Sequence, residues 1–208
     1  MTGMNEVNQG GRRALETMAA RGFIFVHINK TGGSSVRQAL GIEGYQHARA
    51  SDLLKTVGRD RWERLTTFST IRNPWDRLVS IYHWRIKTNQ TSLAELPIPF
   101  DEWLRLCLRE RDPHYVKNPL MLAPQTYWLK DGAGGLLVGR LLRFEDLAAD
   151  FSSLCTKVGL PQLKLPHLKK TDRKHYSYYF SKRDIELVER VYAEDIDSFG
   201  YRFEKEPA

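Results

Sequence analysis

Short continuous apolar runs alternate along this chain with apolar residues spaced at three and four, so strands and helices are expected to follow one another. Residues 23–28 (FIFVHI) are apolar at every position but one, and residues 66–71 (TTFSTI) are rich in β-branched side chains. Both predict strands, the first of them buried on both faces. Each run passes through turn-forming residues into a helical pattern. Behind Gly32, Gly33, Ser34 and Ser35, residues 36–40 open a helix that Gly41 can stop. After the second strand, Asn73 suits an N-cap, Pro74 the first helical position and Asp76 the positive helix end. Trp75, Leu78, Val79 and Tyr82 then repeat as one core-facing stripe.

From residue 85 to 130 the pattern weakens, because Pro97, Pro99, Pro113, Pro119 and Pro124 interrupt all but one amphipathic stretch at 101–109. That stretch of chain is expected to be an insertion facing an acceptor. Residues 136–138 and 141–144 predict further strands, Glu145-Asp146 opens a helix ending near Gly159, and Ser181 to Asp184 form a capping box before Ile185, Val188, Val191 and Tyr192. The polar, Gly-containing residues 1–22 are expected to be flexible, ahead of a single domain at 23–208. Strands alternating with helices predict an α/β fold, a three-layer sandwich around a largely parallel sheet.

At 208 residues, 41% hydrophobic and 27% charged, the chain is long enough for one sizeable core. Its 32 Lys and Arg against 25 Asp and Glu give a net charge of +7, which favours an anionic partner without choosing among nucleotides, acidic glycans, nucleic acid and membrane surfaces. The two cysteines, Cys107 and Cys155, sit in amphipathic stretches without metal-ligand spacing and are expected to be buried thiols. No metal site is expected. The first twenty residues lack the apolar core of a signal peptide, and no run approaches the roughly 20 apolar residues of a membrane span, so a cytoplasmic protein is expected.

The first strand runs straight into Asn29-Lys30-Thr31-Gly32-Gly33-Ser34-Ser35. A strand-to-helix loop with two glycines offers backbone N–H groups to an anion, Lys30 adds a full charge, and Ser34 and Ser35 add hydroxyls. In the common nucleoside triphosphatase loop, G-x-x-x-x-G-K-[ST], the lysine follows the second glycine. Here Lys30 precedes Gly32 and Gly33 and none follows, which disfavours ATP or GTP hydrolysis.

The segment FVHINKTGGSSV resembles the 5'-phosphosulfate loop of the sulfotransferases that use 3'-phosphoadenosine-5'-phosphosulfate (PAPS), a family that includes carbohydrate enzymes. That loop is usually written H-I-P-K-T-G-G-[ST]-S, and Asn29 stands where it has Pro. Arg72-Asn73-Pro74-Trp75-Asp76-Arg77-Leu78-Val79-Ser80 is similar to the family's 3'-phosphate element, R-[DN]-P-x-x-R-L-x-S. Residues 142–147 (LRFEDL) and 197–203 (DSFGYRF) resemble two further family segments, so the likeness spans most of 23–203. It implies a P-loop-like sulfotransferase fold, PAPS as donor and no metal requirement. It also implies donor contacts from Lys30, Thr31, Gly32, Gly33, Ser34, Ser35, Arg72, Ser80 and Arg173, the last in the basic stretch 169–174. Arg77 is expected to be solvated or ion-paired on its helix.

Transfer to a hydroxyl needs a proton acceptor, and His47 is the first choice, since glycan 2-O-sulfotransferases are similar in carrying a catalytic His between the two donor motifs. His27, His83, Glu43 and Asp52 are alternatives, with His27 better suited to the core. The resemblance, with Trp84, Arg85, Lys87, Trp103 and Tyr127 in the insert, favours a glycan acceptor over another small hydroxyl compound. Two rival classes remain: a kinase-like enzyme using ATP and magnesium, and a non-catalytic module for heparin or nucleic acid. A binding module needs no pair of strand-loop-helix phosphate elements, so no nucleic-acid partner is expected.

Overall fold

The computed structural model describes residues 7–44, 47–166 and 173–206. In chain order its first elements are α1 (Gln9–Ala20), β1 (Phe23–Val26), α2 (Gly33–Ala39), α3 (Ala50–Val57), α4 (Arg59–Arg64), β2 (Thr66–Ile71) and α5 (Pro74–Lys87). There follow α6 (Phe100–Leu104), α7 (Pro113–Val116), α8 (Pro119–Leu122), α9 (Gln125–Leu129), β3 (Arg140–Arg143), α10 (Leu147–Lys157), α11 (Lys182–Val191) and α12 (Ala193–Phe199). The chain divides into two compact units, Met1–Arg72 with Gln125–Lys169 and Asn73–Pro124 with Lys170–Ala208. The division falls at Arg72 and Pro124.

The first unit is built on a parallel sheet in the order β1-β2-β3, with Phe23 opposite Thr66 and Phe68 opposite Arg140. Parallel strands need long crossovers, and helical segments supply them, giving the expected α/β arrangement. All four residues of β1 are fully buried, which explains the unbroken apolar run. Residues 136–138 do not form the predicted strand. A bridge from Lys130 to Leu136 and a bond from Leu137 N–H to Leu129 O, 2.9 Å, precede β3.

The expected flexible start is instead a helix over most of its length. Asn8 caps α1 by accepting from Gly11 N–H at 2.8 Å, and Ala14, Leu15, Met18 and Ala19 are buried as one stripe, with α1 packed on β1. Spacing of one, four and five outweighs the local glycines and arginines, since burial rather than propensity holds most helices.

In the second unit the Asn73 side chain accepts from Trp75 and Asp76 N–H, while its amide donates to Arg202 O at 3.0 Å. Trp75, Leu78, Val79 and Tyr82 are buried as predicted. The amphipathic stretch at 101–109 becomes α6 followed by a π-helical turn, Arg105–Glu110, burying Trp103, Leu104, Cys107 and Leu108. Arg85 is 1% exposed and donates to the carbonyls of Tyr115 and Val116 at the end of α7, beneath Trp103. Cys107 and Cys155 are buried free thiols, and burial pushes Cys107 up to about 12. The capping box at Ser181 and Asp184 opens α11, which buries Val188 and is followed by buried Tyr192.

Candidate active site

The loop after β1 is fixed by its own side chains and by two glycines. Thr31 is fully buried; its hydroxyl donates to Ile28 O at 2.9 Å and shares a 2.7 Å hydrogen bond with Thr70 on β2. The Thr31 hydroxyl is therefore engaged within the fold, and its backbone is the part that faces the loop. Lys30 and Gly32 both take positive φ, +63° and +86°, and Lys30 does so despite its side chain. A Cβ on Gly32 would lie 2.7 Å from Leu147 and 2.9 Å from Phe144, and one on Gly33 would lie 2.2 Å from His27. Both glycines are thus demanded by packing against β1 and the residues that follow β3. Ser34 and Ser35 are half-buried in the first turn of α2.

Arg72 follows the last residue of β2, is 6% exposed, and donates from Nη1 to the carbonyl of Lys30 at 3.1 Å. Its guanidinium lies 3.8 Å from the centre of the Phe144 ring, a stacked arrangement that orients the planar fork. Its backbone is clamped by Gln125, whose Oε1 accepts from Arg72 N–H at 2.8 Å and whose Nε2 donates to Arg72 O at 2.9 Å. Gln125 is fully buried, and nothing in the sequence singled it out. The sole hint was a glutamine directly after the last of five prolines, and Phe144 was visible only as part of the family-like LRFEDL segment.

His47 is exposed, and its Nδ1 lies 2.8 Å from the carbonyl of His27. A carbonyl only accepts, so Nδ1 carries the hydrogen and Nε2 the lone pair. The centres of the His47 and His27 rings are 4.3 Å apart, and those of His47 and Trp128 are 6.3 Å apart with the planes at 63°. His27 is 6% exposed, stacked on Phe25 and pressed beneath Gly33, the place of a core histidine. Loop, Arg72 and His47 are therefore brought together within the first unit. Glu43 is exposed, and Asp52 lies in the first turn of α3.

Ser80 and Arg173 belong to the second unit. Ser80 is 8% exposed on α5, and Arg173 forms an ion pair with Asp76 in which both side chains are nearly buried. The rest of the basic stretch, residues 169–172, lies outside the described residues. Arg77 is not solvated: at 2% exposure it donates to Ala123 O at 2.9 Å and Met121 O at 3.1 Å. Burial lowers its pKa, while Tyr192 and Asp195 act in the opposite sense. Nε2 of His83 is 2.9 Å from the Tyr179 hydroxyl, and burial, then the charge of Arg173, holds its pKa below the ordinary value. Among the described residues no group of three or more His, Cys, Asp or Glu could hold a metal ion, and no helix is long and apolar enough to cross a membrane.

A loop with Lys before two glycines, an arginine directly after the next strand and a carbonyl-held histidine thus lie together in the first unit. Residues 19–202 match the model of the sulfotransferase family, and the chain belongs to that family. A crystal structure of a sulfotransferase from Alicyclobacillus acidocaldarius is similar at 12% identity, covering 94% of this chain and 96% of that one, with a TM-score of 0.34. No curated protein matches the chain.

Proposed function

We propose that this sulfotransferase transfers a sulfuryl group from PAPS to a hydroxyl of a carbohydrate acceptor. The observation that supports it is the gathering of Lys30, Arg72 and His47 about one loop, with Arg72 bonded to the Lys30 carbonyl and His47 to the His27 carbonyl. The 3.1 Å bond from Arg72 to the backbone carbonyl of Lys30 keeps two basic residues at one loop, which suits a ligand carrying several anionic groups. When bound, PAPS would supply the sulfuryl group and depart as 3',5'-adenosine bisphosphate.

Lys30 and the backbone N–H groups of Gly32, Gly33 and Ser34 stabilise the negative charge that grows on the departing phosphate. Arg72, held flat on Phe144, offers its guanidinium to a second phosphate. Ser34 and Ser35 add hydroxyl donors. Nε2 of His47 takes the acceptor proton, and the bond from Nδ1 to His27 O keeps the ring in the tautomer that can do so. Donor roles for Ser80 and Arg173 rest on the motif resemblance alone, and Arg173 must share or release Asp76 to serve one.

The test is thermal stabilisation by 3',5'-adenosine bisphosphate without metal, beside ATP with magnesium, for the native chain, Lys30→Ala and Arg72→Ala. Ligand at 100 times its Kd adds about 2.7 kcal/mol to stability. A shift specific to the bisphosphate and weakened by both substitutions is the expected result; a shift with ATP and magnesium alone overturns the reading.

A further inference from the structure

We infer that helix α9 sets the base in register with the donor arginine, and that Arg49 is the positioning residue through which it holds His47; the inference rests on His47 as the base. α9 is five residues long, Gln125–Leu129, and it is attached to the site at two places. At its start, the fully buried Gln125 closes both backbone bonds of Arg72, at 2.8 and 2.9 Å. Farther along, the carbonyl of Tyr127 accepts from Nε of Arg49 at 3.0 Å, and the centre of the Tyr127 ring lies 4.5 Å from the same guanidinium. Trp128, at 2% exposure, faces the His47 ring from within the fold, 6.3 Å centre to centre.

The Arg49 contact follows from how the helix stops. In a longer helix the carbonyl of Tyr127 would accept from the N–H of Asp131, but that N–H turns instead to Gly135 O at 2.9 Å. The carbonyl is left as one of the orphan acceptors of a helix C-terminus, and an arginine side chain is a recognised partner for it. The Nε bond and the stacked ring together fix the plane of the guanidinium, so Arg49 is held at two points of one residue. Arg49 in turn fixes the short segment that carries the base. It takes extended backbone, φ −70° and ψ 150°, while Ala48 before it is 1% exposed. His47 is exposed, with Nδ1 2.8 Å from His27 O. A ring on the surface keeps such a bond only while its own backbone is held, and Ala48 and Arg49 are the holds that follow it in sequence.

Residues 125 and 127 are two apart in one helix, a rise of about 3 Å along its axis. A single rigid turn therefore carries both the clamp on Arg72 and the anchor of His47, and the spacing between donor cation and base is built into that turn. In-line transfer demands this precision, since a misplacement of about 1 Å costs on the order of a hundredfold in rate. The two attachments differ in what they touch: Gln125 acts on the donor arginine, Arg49 on the base alone.

The test joins thermal stabilisation by 3',5'-adenosine bisphosphate to long-range proton–nitrogen NMR of the neutral imidazoles, the His47 signals being those absent from His47→Gln. The native chain is expected to show His47 in the Nδ1–H tautomer. Arg49→Met, which keeps the length and loses the donor, should mix the two tautomers and lower kcat for transfer from PAPS by about tenfold or more, with the bisphosphate shift unchanged. Arg49→Lys, whose ammonium still reaches a carbonyl at that distance, should recover part of both. Gln125→Ala, acting on the shared helix, should reduce the bisphosphate shift and mix the His47 tautomers at once. A pure Nδ1–H tautomer in Arg49→Met, mixed tautomers in the native chain, or an unaltered His47 in Gln125→Ala overturns the inference. Unimpaired transfer by His47→Gln overturns the base reading and the inference with it, a readout separate from the tautomers. No bisphosphate shift in the native chain overturns the donor reading, and with it the register between the two.

Discussion

Gln125 acts toward Arg72 as a missing strand would, its amide closing both backbone bonds at 2.8 and 2.9 Å just past the end of β2. A ladder partner for Arg72 is thereby replaced by one side chain, and the guanidinium beyond it is held on Phe144. Gln125→Ala leaves a buried N–H and a buried C=O without partners, at about 1–3 kcal/mol each. The expected result is a lower urea midpoint and a reduced thermal shift with 3',5'-adenosine bisphosphate. Gln125→Glu keeps the acceptor but sets a carboxylate against Arg72 O and should fail in the same way. Full nucleotide stabilisation in both variants would show that the clamp does not position Arg72.

Gly33 is a packing glycine. Its φ is ordinary, but a Cβ would stand 2.2 Å from His27 Cδ2 and 3.0 Å from Phe25 Cζ. His27 has little room to yield, being buried and stacked on Phe25. Gly33→Ala should cost about 1–3 kcal/mol by overpacking. Combined with His27→Ala, which opens the space, the loss should be non-additive by about 1 kcal/mol or more in urea unfolding. Additive losses would mean that the ring is not what excludes the methyl group.

Arg77 occupies the position of a motif arginine and does a structural task. Its fork holds Met121 and Ala123, and its charge faces Tyr192 and fully buried Asp195. Removing the cation takes away its attraction to Asp195 and the donors to two carbonyls, so Arg77→Ala should destabilise by about 3–5 kcal/mol, measured by urea unfolding. Arg77→Lys should recover only part, because one ammonium cannot reach both carbonyls in the geometry of the fork. A mild effect in both variants would return Arg77 to a surface role.

Local chemistry was legible where the residues that decide it are close in sequence. Asn73 caps α5 and Ser181 with Asp184 caps α11, because a cap and its N–H partners lie within three residues. The strands β1 and β2 were plain because full burial leaves an apolar or β-branched run. What escaped depends on partners far along the chain: Gln125 meets Arg72 across 53 residues, and Arg77 reaches Met121 and Ala123 across more than 40. The partner of the Thr31 hydroxyl was hidden for the same reason, since Thr70 lies 39 residues away. Helix α1 was missed because glycines and arginines mask a stripe that β1 covers.

His83 gives the second unit a pH dependence whose sign is fixed by its surroundings. Burial first, then the charge of Arg173, holds its pKa below the ordinary histidine value of about 6.5. Between the lowered folded value and that of the unfolded chain, the unfolded state binds the extra proton, so stability rises with pH across the window. The contribution is complete above about pH 6.5 and is lost as pH falls through the folded value. Tyr179, at 2.9 Å from Nε2, offers a hydroxyl whose bond survives in a neutral amide. In His83→Gln the urea midpoint should therefore vary less between about pH 5 and about pH 7 than in the native chain. The other five histidines and the carboxylates contribute equally to both proteins, so the difference between the two slopes isolates His83. Arg173→Gln removes only the second cause and should reduce the slope by less than His83→Gln does. Identical slopes in the native chain and His83→Gln would show that this ring titrates alike folded and unfolded.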